Sequence, residues 1–242
     1  MNKRMSILLI ASLLLNLFFT TSGIFLVYKK GGLTYIETKI KMRSLHAKPS
    51  ILLDSKYLDK VGLFKSLPNS QDDVYFVGDS ITERCNWDEL FNNLNCKNRG
   101  IGSDTTEGVL NRLQEITEGR PKKVFIMIGI NDIGVESLNV IKNNLGEIVS
   151  KIASSSPIQI YMQSLLPVNK SKYQGNIRQS DIVTVNEYIK GLALSEHISY
   201  IDLFPNFADS TGELRSDLTT DGVHLNAMGY YIWKGVINKY IR

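Results

Sequence analysis

The sequence contains few residues of the kinds that build metal sites or disulfide frameworks. Its 242 residues include two cysteines, Cys85 and Cys96, and three histidines. Two cysteines cannot form a disulfide framework or a four-ligand zinc site, and the chain has neither a CxxC pair nor an HExxH motif. We therefore expect no structural metal. A single disulfide would fit an oxidising compartment, but two reduced thiols are the simpler interpretation.

An excess of positive charge is also missing from most of the chain. The formal net charge is +4, but residues 1–48 hold eight Lys and Arg residues against one acidic residue, Glu37. Residues 49–242 consequently carry 20 basic and 23 acidic groups. DNA and RNA are not expected partners, because a binding face for them has no electrostatic support. The composition, with 43% hydrophobic and 21% charged residues, is that of a folded globular protein.

A long apolar run lies at the N-terminus. Residues 5–27 contain no charged side chain, and a bilayer core is crossed by about 20 such residues. We therefore expect residues 1–28 to be an N-terminal transmembrane anchor, with the folded domain on the extracytoplasmic side. A cleaved signal peptide is the alternative, although its apolar region is typically shorter, at about 7 to 15 residues. Residues 29–71 then form a basic juxtamembrane segment and linker, and residues 72–242 form the folded domain.

From residue 72 onward, short apolar runs alternate with amphipathic segments. Apolar runs bounded by turn residues predict buried strands, and apolar spacings of three and four predict helices between them. This alternation is typical of an α/β protein in which helices cover both faces of a five-stranded parallel sheet, a three-layer αβα sandwich. The ligand of such a sheet lies beyond the carboxyl ends of the strands. The expected strands are 74–77, 96–99, 124–128, 158–162 and 198–201, and the expected helices are about 105–118, 137–154, 181–196 and 226–240.

Ser80 stands where the first strand gives way to a helix, in the sequence Gly78-Asp79-Ser80. A serine at such a turn exposes its hydroxyl beside a helix N-terminus, which suits a nucleophile. Gly-Asp-Ser is also a common turn, so the tripeptide alone does not establish catalysis. The G-x-S-x-G elbow of the α/β-hydrolases is absent, because Thr82 occupies the place of the second glycine.

A serine nucleophile needs a base, and the candidates are the three histidines. His46 lies in the basic linker, and His197 closes a predicted helix, where a solvated histidine is common. His224 lies in a loop before the last helix, three residues after Asp221. Because a carboxylate at that spacing can orient one ring nitrogen, Asp221 and His224 are the candidate partners of Ser80.

Two further segments lead to the same edge of the sheet. Asn131 follows the strand at 124–128, where its amide can donate a hydrogen bond to a developing oxyanion. Residues 98–104 follow the weaker second strand and offer backbone N–H groups at a helix start. Asp104 and Glu107 have the spacing of a capping box for that helix.

These blocks, taken in order, resemble the SGNH (GDSL-type) hydrolase family. The second block, followed by Arg112-Leu113 and Pro121-Lys122, is most similar to the platelet-activating factor acetylhydrolases and related carbohydrate acetylesterases. The resemblance covers about residues 72–240 and implies a flavodoxin-like fold. The four blocks are Gly78-Asp79-Ser80, the loop at 100–106, Gly129-Ile130-Asn131-Asp132 and Asp221-Gly222-Val223-His224.

The resemblance implies a role for each matching residue. Ser80 would be the nucleophile, His224 the base and Asp221 the residue that orients it. The oxyanion hole would consist of the N–H groups of Ser80 and Ser103 and the amide of Asn131. The family's pattern has glycine where this chain has Ser103, which leaves the N–H in place but alters the loop.

The resemblance further implies a serine esterase that removes short acyl groups, acetyl above all, from a carbohydrate or lipid-like ester through an acyl-enzyme. This reaction implies no metal and no organic cofactor. The alternative is an O-acetyltransferase that passes the acyl group to a cell-surface polysaccharide. A non-catalytic, membrane-tethered binding module would require loss of a triad residue, and all of them are present. The expected partners are a small-molecule or glycan ester and, through the N-terminal helix, the membrane. The oligomeric state is not indicated.

Overall fold

The computed structural model describes residues 51–155 and 157–241, together with isolated positions nearer the N-terminus. The chain divides into two compact units, Met1–Ser50 and Ile51–Arg242, and the second contains the sheet. Its strands are β1 (Val74–Gly78), β2 (Cys96–Gly100), β3 (Lys123–Met127), β4 (Gln159–Gln163) and β5 (Ser199–Ile201). Its helices are α1 (Ser55–Ser66), α2 (Ser80–Glu83), α3 (Trp87–Phe91), α4 (Thr106–Asn111), α5 (Leu113–Gly119), α6 (Leu138–Ser155), α7 (Gln179–Ser195), α8 (Phe204–Phe207) and α9 (Ala227–Ile241), with single 3₁₀ turns at Ile51–Leu53 and Ser216–Leu218.

Within the described residues, the strands form one five-stranded sheet in the order β2-β1-β3-β4-β5. Each neighbouring pair is parallel, which confirms the expected sheet. All residues of β1 and β3 are buried, as expected for central strands covered on both faces. The chain adds β2 on one side of β1 and adds β3 to β5 on the other side, so the direction of the connections changes between β1 and β3. In α/β sheets, ligands bind at the carboxyl ends of the strands at such a switch point.

The helices cover opposite faces of the sheet. The connection from β1 to β2 runs one way across the sheet, and the later connections run the other way. Because crossovers are right-handed, α3 lies on one face and α4 to α7 lie on the other. The contacts agree, since α9 packs beside α3, whereas α4 to α7 pack on one another through α6.

Stacked aromatic rings fill the core beneath α3 and α9. Phe76 of β1 stacks on Trp87 with ring centroids 4.0 Å apart and on Phe125 of β3 at 5.2 Å. Trp87 in turn meets Trp233 of α9 edge-on at 5.0 Å. Large rings of this kind bury much apolar area, so this stack ties both helices to the sheet.

Residues 51–66 lie within the segment 29–71 that was expected to be a linker, and they form a 3₁₀ turn and the helix α1. Asp54 caps α1 by accepting hydrogen bonds from the N–H groups of Lys56 and Tyr57, and α1 ends before Pro68. Tyr57 and Phe64 on one side of α1 are buried with Ile101 in a second hydrophobic cluster. Tyr57, Val61 and Phe64 have the apolar spacing of a helix face, a pattern that the prediction of a linker overlooked.

The helix expected at 105–118 is interrupted at Arg112, which separates α4 from α5. The capping-box prediction was also wrong, because Thr105 is the N-cap and its Oγ1 accepts a hydrogen bond from the N–H of Gly108 at 3.1 Å. The Asp104 carboxylate instead binds the buried Arg112 guanidinium. A buried arginine needs a charged partner, and this requirement outweighs the capping preference of Asp104.

No helix among the described residues is long and apolar enough to cross a membrane. Crossing takes about 20 apolar residues. The longest described helix, α6, has 18 residues and exposes a Glu147–Lys151 ion pair on the side away from the core. This finding corrects the predicted membrane-anchored location. The predicted anchor at 1–28 lies outside the described residues, except for the isolated positions Ser12, Leu15, Asn16 and Tyr28.

Candidate active site

The turn between β1 and α2 presents Ser80 at the carboxyl edge of the sheet. Asp79 is the N-cap of α2, and Ser80 is its first residue and is half-buried. The turn is tight, because a Cβ added at Gly78 would lie 2.2 Å from Thr82 Oγ1 and 2.5 Å from the Met127 carbonyl oxygen. Glycine at this position therefore lets the serine turn approach β3 closely.

Ser80, His224 and Asp221 lie in a continuous hydrogen-bonded chain. Ser80 Oγ is 2.8 Å from His224 Nε2, and His224 Nδ1 is 2.6 Å from Asp221 Oδ2. Both distances are within hydrogen-bonding range, and the order of groups is that of a Ser–His–Asp triad. The fold thus brings together residues that are 144 positions apart in the sequence.

The loop before α9 holds the Asp221 carboxylate in its charged form. Partial burial acts to raise the pKa of Asp221, but N–H groups of His224 and Val223 donate to Oδ1 and, with the imidazole, hold the pKa well below its ordinary value. Arg84 Nη1 is 3.8 Å from Asp221 Oδ2. Asp221 therefore stays ionised and can orient and stabilise the imidazole over a wide pH range.

The loops after β2 and β3 supply the candidate oxyanion donors. Ser103 is exposed and has a left-handed backbone with φ of 63°. This conformation explains why the family's pattern has glycine at this position. Asn131 Nδ2 donates to the Asp104 carbonyl oxygen at 2.9 Å, which fixes the amide beside the Ser103 loop. The second N–H of the same amide can donate to a ligand.

Asp132 ties these two loops together. Its carboxylate accepts hydrogen bonds from the Thr106 N–H at 3.0 and 3.1 Å and from Thr106 Oγ1 at 2.5 Å. Burial raises the pKa of Asp132 to about 6, although the bonds from Thr106 oppose this shift. The start of α4 is therefore held against the residue next to Asn131.

Asp79 is a buried carboxyl directly beside Ser80. Its Oδ1 accepts a hydrogen bond from the Ile81 N–H at 2.9 Å, and its buried Oδ2 has no hydrogen-bond partner among the described residues. Burial raises the pKa of Asp79 to about 7, although the bond from Ile81 opposes the shift. A carboxyl in this position holds its proton more tightly than an exposed one does.

Sequence reasoning did not find the residues that support these loops. The Asn98 amide donates to the carbonyl oxygens of Thr82, Glu83 and Cys85, at 3.2, 2.9 and 2.8 Å, and so closes the end of α2. The Arg112 guanidinium is completely buried behind the loop after β2. The spacing of residues in a sequence does not show that an arginine is buried. The available signal was that Arg112 is a polar residue among the apolar positions of α4 and α5.

The remaining candidate residues lie apart from this chain. His197 is exposed, in a left-handed conformation directly after α7, and His46 lies outside the described residues. Cys85 and Cys96 are free and buried, as the cysteine count suggested. Over the described ranges, no group of three or more His, Cys, Asp and Glu side chains is placed to hold a metal ion.

Comparison with known proteins identifies the family. The family model described as the GDSL-like lipase/acylhydrolase family matches residues 76–232, which is well over half of the chain. The chain belongs to the GDSL-like lipase/acylhydrolase family. The match includes the serine turn, both candidate oxyanion loops and the Asp221–His224 loop, and it confirms the resemblance found in the sequence. As a member of this family, the protein is a hydrolase of the acylhydrolase and esterase type.

Relatives of this GDSL-family chain include platelet-activating factor acetylhydrolases. It is 30% identical to the IB subunit alpha1 from Bos taurus over 171 residues, which cover 67% of this chain and 72% of that protein. It is 29% identical to the alpha2 subunit from Rattus norvegicus over 194 residues, covering 76% and 83%. The match to the alpha1 subunit spans more than two thirds of that protein, which supports the family assignment.

Solved structures share the fold of the GDSL-family domain. A Streptococcus pneumoniae protein described as a platelet activating factor superposes with a TM-score of 0.72 and 28% identity, covering 77% of this chain and 93% of that one. An acetylxylan esterase from Geobacillus stearothermophilus superposes with a TM-score of 0.59 and 20% identity, covering 72% and 95%. At 20% identity, the second comparison bears on the fold alone.

Proposed function

We propose that this GDSL-family protein is a serine esterase that removes short acyl groups, acetyl in particular, from a carbohydrate or lipid-like ester. The chain of hydrogen bonds from Ser80 through His224 to Asp221, at 2.8 and 2.6 Å, is the observation that carries the proposal. A serine hydroxyl is a weak nucleophile unless a base within hydrogen-bond reach takes its proton. His224 Nε2 lies within hydrogen-bond reach of Ser80 Oγ, which supports His224 as that base.

The proposed reaction follows from this geometry. Ser80 Oγ attacks the ester carbonyl while His224 takes the hydroxyl proton, and the C–O bond to the alcohol breaks as His224 returns that proton to the leaving oxygen. Water, deprotonated by His224, then releases the acid from the acyl-enzyme. The N–H groups of Ser80 and Ser103 and the amide of Asn131 bind the oxyanion in both steps.

Support for a short acyl group comes from the relatives at about 30% identity. They are named as acetylhydrolases, and the similarity to them covers 67% and 76% of this chain. An acetyl ester presents the same carbonyl as a longer ester but needs little apolar surface beyond the oxyanion loops. The alcohol part of the ester is proposed to be a carbohydrate or a lipid-like alcohol.

A series of p-nitrophenyl esters from acetyl to palmitoyl tests this proposal with the full chain. We expect kcat/KM to be highest for acetyl and to fall as the acyl chain lengthens. Adding an acetylated glycan and measuring free acetate against acetate transferred to a second sugar then separates hydrolysis from acyl transfer. A maximum at long chains would contradict the acyl-group proposal while leaving the esterase proposal in place.

Ser80→Ala tests the nucleophile. Hydrolysis should fall by a factor of about 10⁴ or more, since a triad without its nucleophile retains only the catalysis supplied by binding and the oxyanion hole. The melting temperature should stay close to that of the wild type, because the half-buried hydroxyl contributes little to packing. A folded variant with near wild-type activity would remove Ser80 from the mechanism.

A further inference from the structure

A group of four charged side chains is buried behind the candidate oxyanion loop. Asp104, Arg112 and Glu115 have fully buried side chains, and the side chain of Arg99 is 3% exposed. Arg112 Nε is 2.8 Å from Asp104 Oδ2, and Arg112 Nη1 is 2.8 Å from Glu115 Oε1. Because the group contains two cations and two carboxylates, the buried charges are matched, as burial of ions requires.

The Arg112 guanidinium also binds backbone from two strands. Its Nη2 donates to the Arg99 carbonyl oxygen at 2.8 Å and, more weakly, to the Gly78 carbonyl oxygen at 3.4 Å. Gly78 is the last residue of β1 and lies two positions before Ser80. One planar group therefore contacts the ends of β1 and β2 and, through Asp104, the loop between β2 and α4.

Asp104 connects this guanidinium to the candidate oxyanion donors. It directly follows Ser103, and its carbonyl oxygen accepts the hydrogen bond that fixes the Asn131 amide. Its side chain is held by Arg112 at one oxygen and by the Thr105 N–H at the other. A shift of Asp104 would therefore move both the Ser103 N–H and the Asn131 amide.

Aromatic side chains close this group off from water. Phe64 of α1 lies over the Arg99 guanidinium, with 5.1 Å to the ring centroid, and over that of Arg112 at 5.9 Å. Tyr57 Oη donates to the Gly108 carbonyl oxygen of α4 at 2.6 Å. Ionic hydrogen bonds are stronger and more rigid when water is excluded, so α1 strengthens the attachment of Asp104 to Arg112.

We infer that Arg112 is a positioning residue for the reaction, which holds Asp104 so that the Ser103 N–H and the Asn131 amide converge on the oxyanion beside Ser80. This inference rests on the proposed esterase function. Arg112 touches neither the substrate nor the reacting atoms, and acts through Asp104 and the strand ends. Its effect therefore falls on the transition state, where oxyanion donors act, rather than on substrate binding.

Arg112→Lys tests the inference, because lysine keeps the charge but cannot contact Asp104, Glu115 and the Arg99 carbonyl oxygen with one planar fork. With p-nitrophenyl acetate we expect kcat to fall at least about tenfold, whereas KM should change less than about twofold. Small misplacements of catalytic groups lower the rate by about one to two orders of magnitude. Asp104→Asn keeps the shape of the side chain and the backbone carbonyl oxygen that accepts from Asn131, but it removes the negative charge. This variant should lower kcat in the same way.

Arg99→Lys is the matched control. Arg99 is buried in the same group and pairs with the same Glu115, at 3.5 Å, but makes no side-chain contact with Asp104. Its kcat should stay near that of the wild type when the assays are run well below each variant's melting temperature. Equal kcat losses in Arg99→Lys and Arg112→Lys would reduce Arg112 to a structural role and overturn the inference.

A double-variant cycle adds a measurement that stability alone does not affect. If Arg112 acts through the oxyanion hole, the kcat losses of Arg112→Lys and Asn131→Ala should combine to much less than their product. Fully multiplicative losses would overturn the inference. If Ser80→Ala were as active as the wild type, both the proposed function and this inference would be wrong. If the wild type is an active esterase and Arg112→Lys has the same kcat, this inference alone is overturned.

Discussion

At the residue scale, two of the three candidate oxyanion donors belong to residues whose environments differ. Asn131 is half-buried and its amide is fixed by the Asp104 carbonyl oxygen, whereas Ser103 is exposed and contributes through its backbone. Removing the amide therefore deletes a donor, but changing the serine side chain leaves the N–H in place. The two positions should respond to substitution in opposite ways.

Asn131→Ala should lower kcat by about 100-fold or more with a smaller change in KM, because an oxyanion donor acts mainly in the transition state. Steady-state kinetics with p-nitrophenyl acetate measures both constants. A loss confined to KM would instead make Asn131 a substrate-binding residue.

Ser103→Gly should keep or raise kcat, because glycine adopts φ of 63° without the strain that a Cβ causes there. Ser103→Ala is the matched variant, since it removes the hydroxyl but keeps the Cβ, and its kcat should resemble that of the wild type. Equal losses in both variants would show that the hydroxyl itself is engaged, and the N–H role would need revision.

At the scale of the element, α1 lies N-terminal to the residues that the family model matches. It spans Ser55–Ser66, before the family match begins at residue 76, yet Tyr57 and Phe64 are buried. It packs against α5 and covers the buried charges behind the candidate oxyanion loop. The helix therefore belongs structurally to the catalytic domain.

Phe64→Ala should lower the free energy of unfolding by about 3 kcal/mol, which is the order expected for removing a buried aromatic ring. The neighbouring Leu63→Ala is the control, because Leu63 is 49% exposed and its removal should cost about 0.5 kcal/mol or less. Urea unfolding of the two variants measures the difference. Similar costs at both positions would mean that α1 is not anchored through Phe64.

At the scale of the whole molecule, global unfolding can be followed through the aromatic core. Trp87 and Trp233 are the two tryptophans of the sequence, both are fully buried, and they join α3 and α9, which lie far apart in the sequence. Their fluorescence therefore reports loss of the whole core. This signal allows the pH dependence of stability to be measured directly.

Asp79→Asn should become more stable relative to the wild type as the pH rises from 5 to 7. The folded protein holds the Asp79 proton up to about pH 7, whereas the unfolded chain loses it near the ordinary pKa of 3.8. The contribution of Asp79 to stability is therefore complete below about pH 4 and is lost as the pH rises through 7. The asparagine variant has no such proton, so the difference in unfolding free energy should grow by about 1 to 3 kcal/mol. A difference that does not change with pH would contradict the prediction.

Local sequence patterns determined much of the fold and the identity of the candidate triad. The apolar run at 74–77 lies within β1, and the run at 124–128 overlaps β3 with its ends shifted by one residue. Buried parallel strands need continuous apolar side chains, so such runs predict them. The helices expected at 137–154 and 226–240 lie within about a residue of α6 and α9. Ser80, Asp221 and His224 were identifiable because each lies in a short motif at a strand end or loop.

Only the tertiary structure decided what surrounds these motifs. Asp104 has the spacing of a capping residue, but the buried Arg112 guanidinium binds it instead. The helix α1 packs onto the domain although its segment was expected to be a linker. Contacts between Ser80 and His224, or between Arg112 and Gly78, join residues 144 and 34 positions apart. The energy of such contacts depends on burial and on exact placement in three dimensions, and neither is encoded in the spacing of residues along a short stretch of chain.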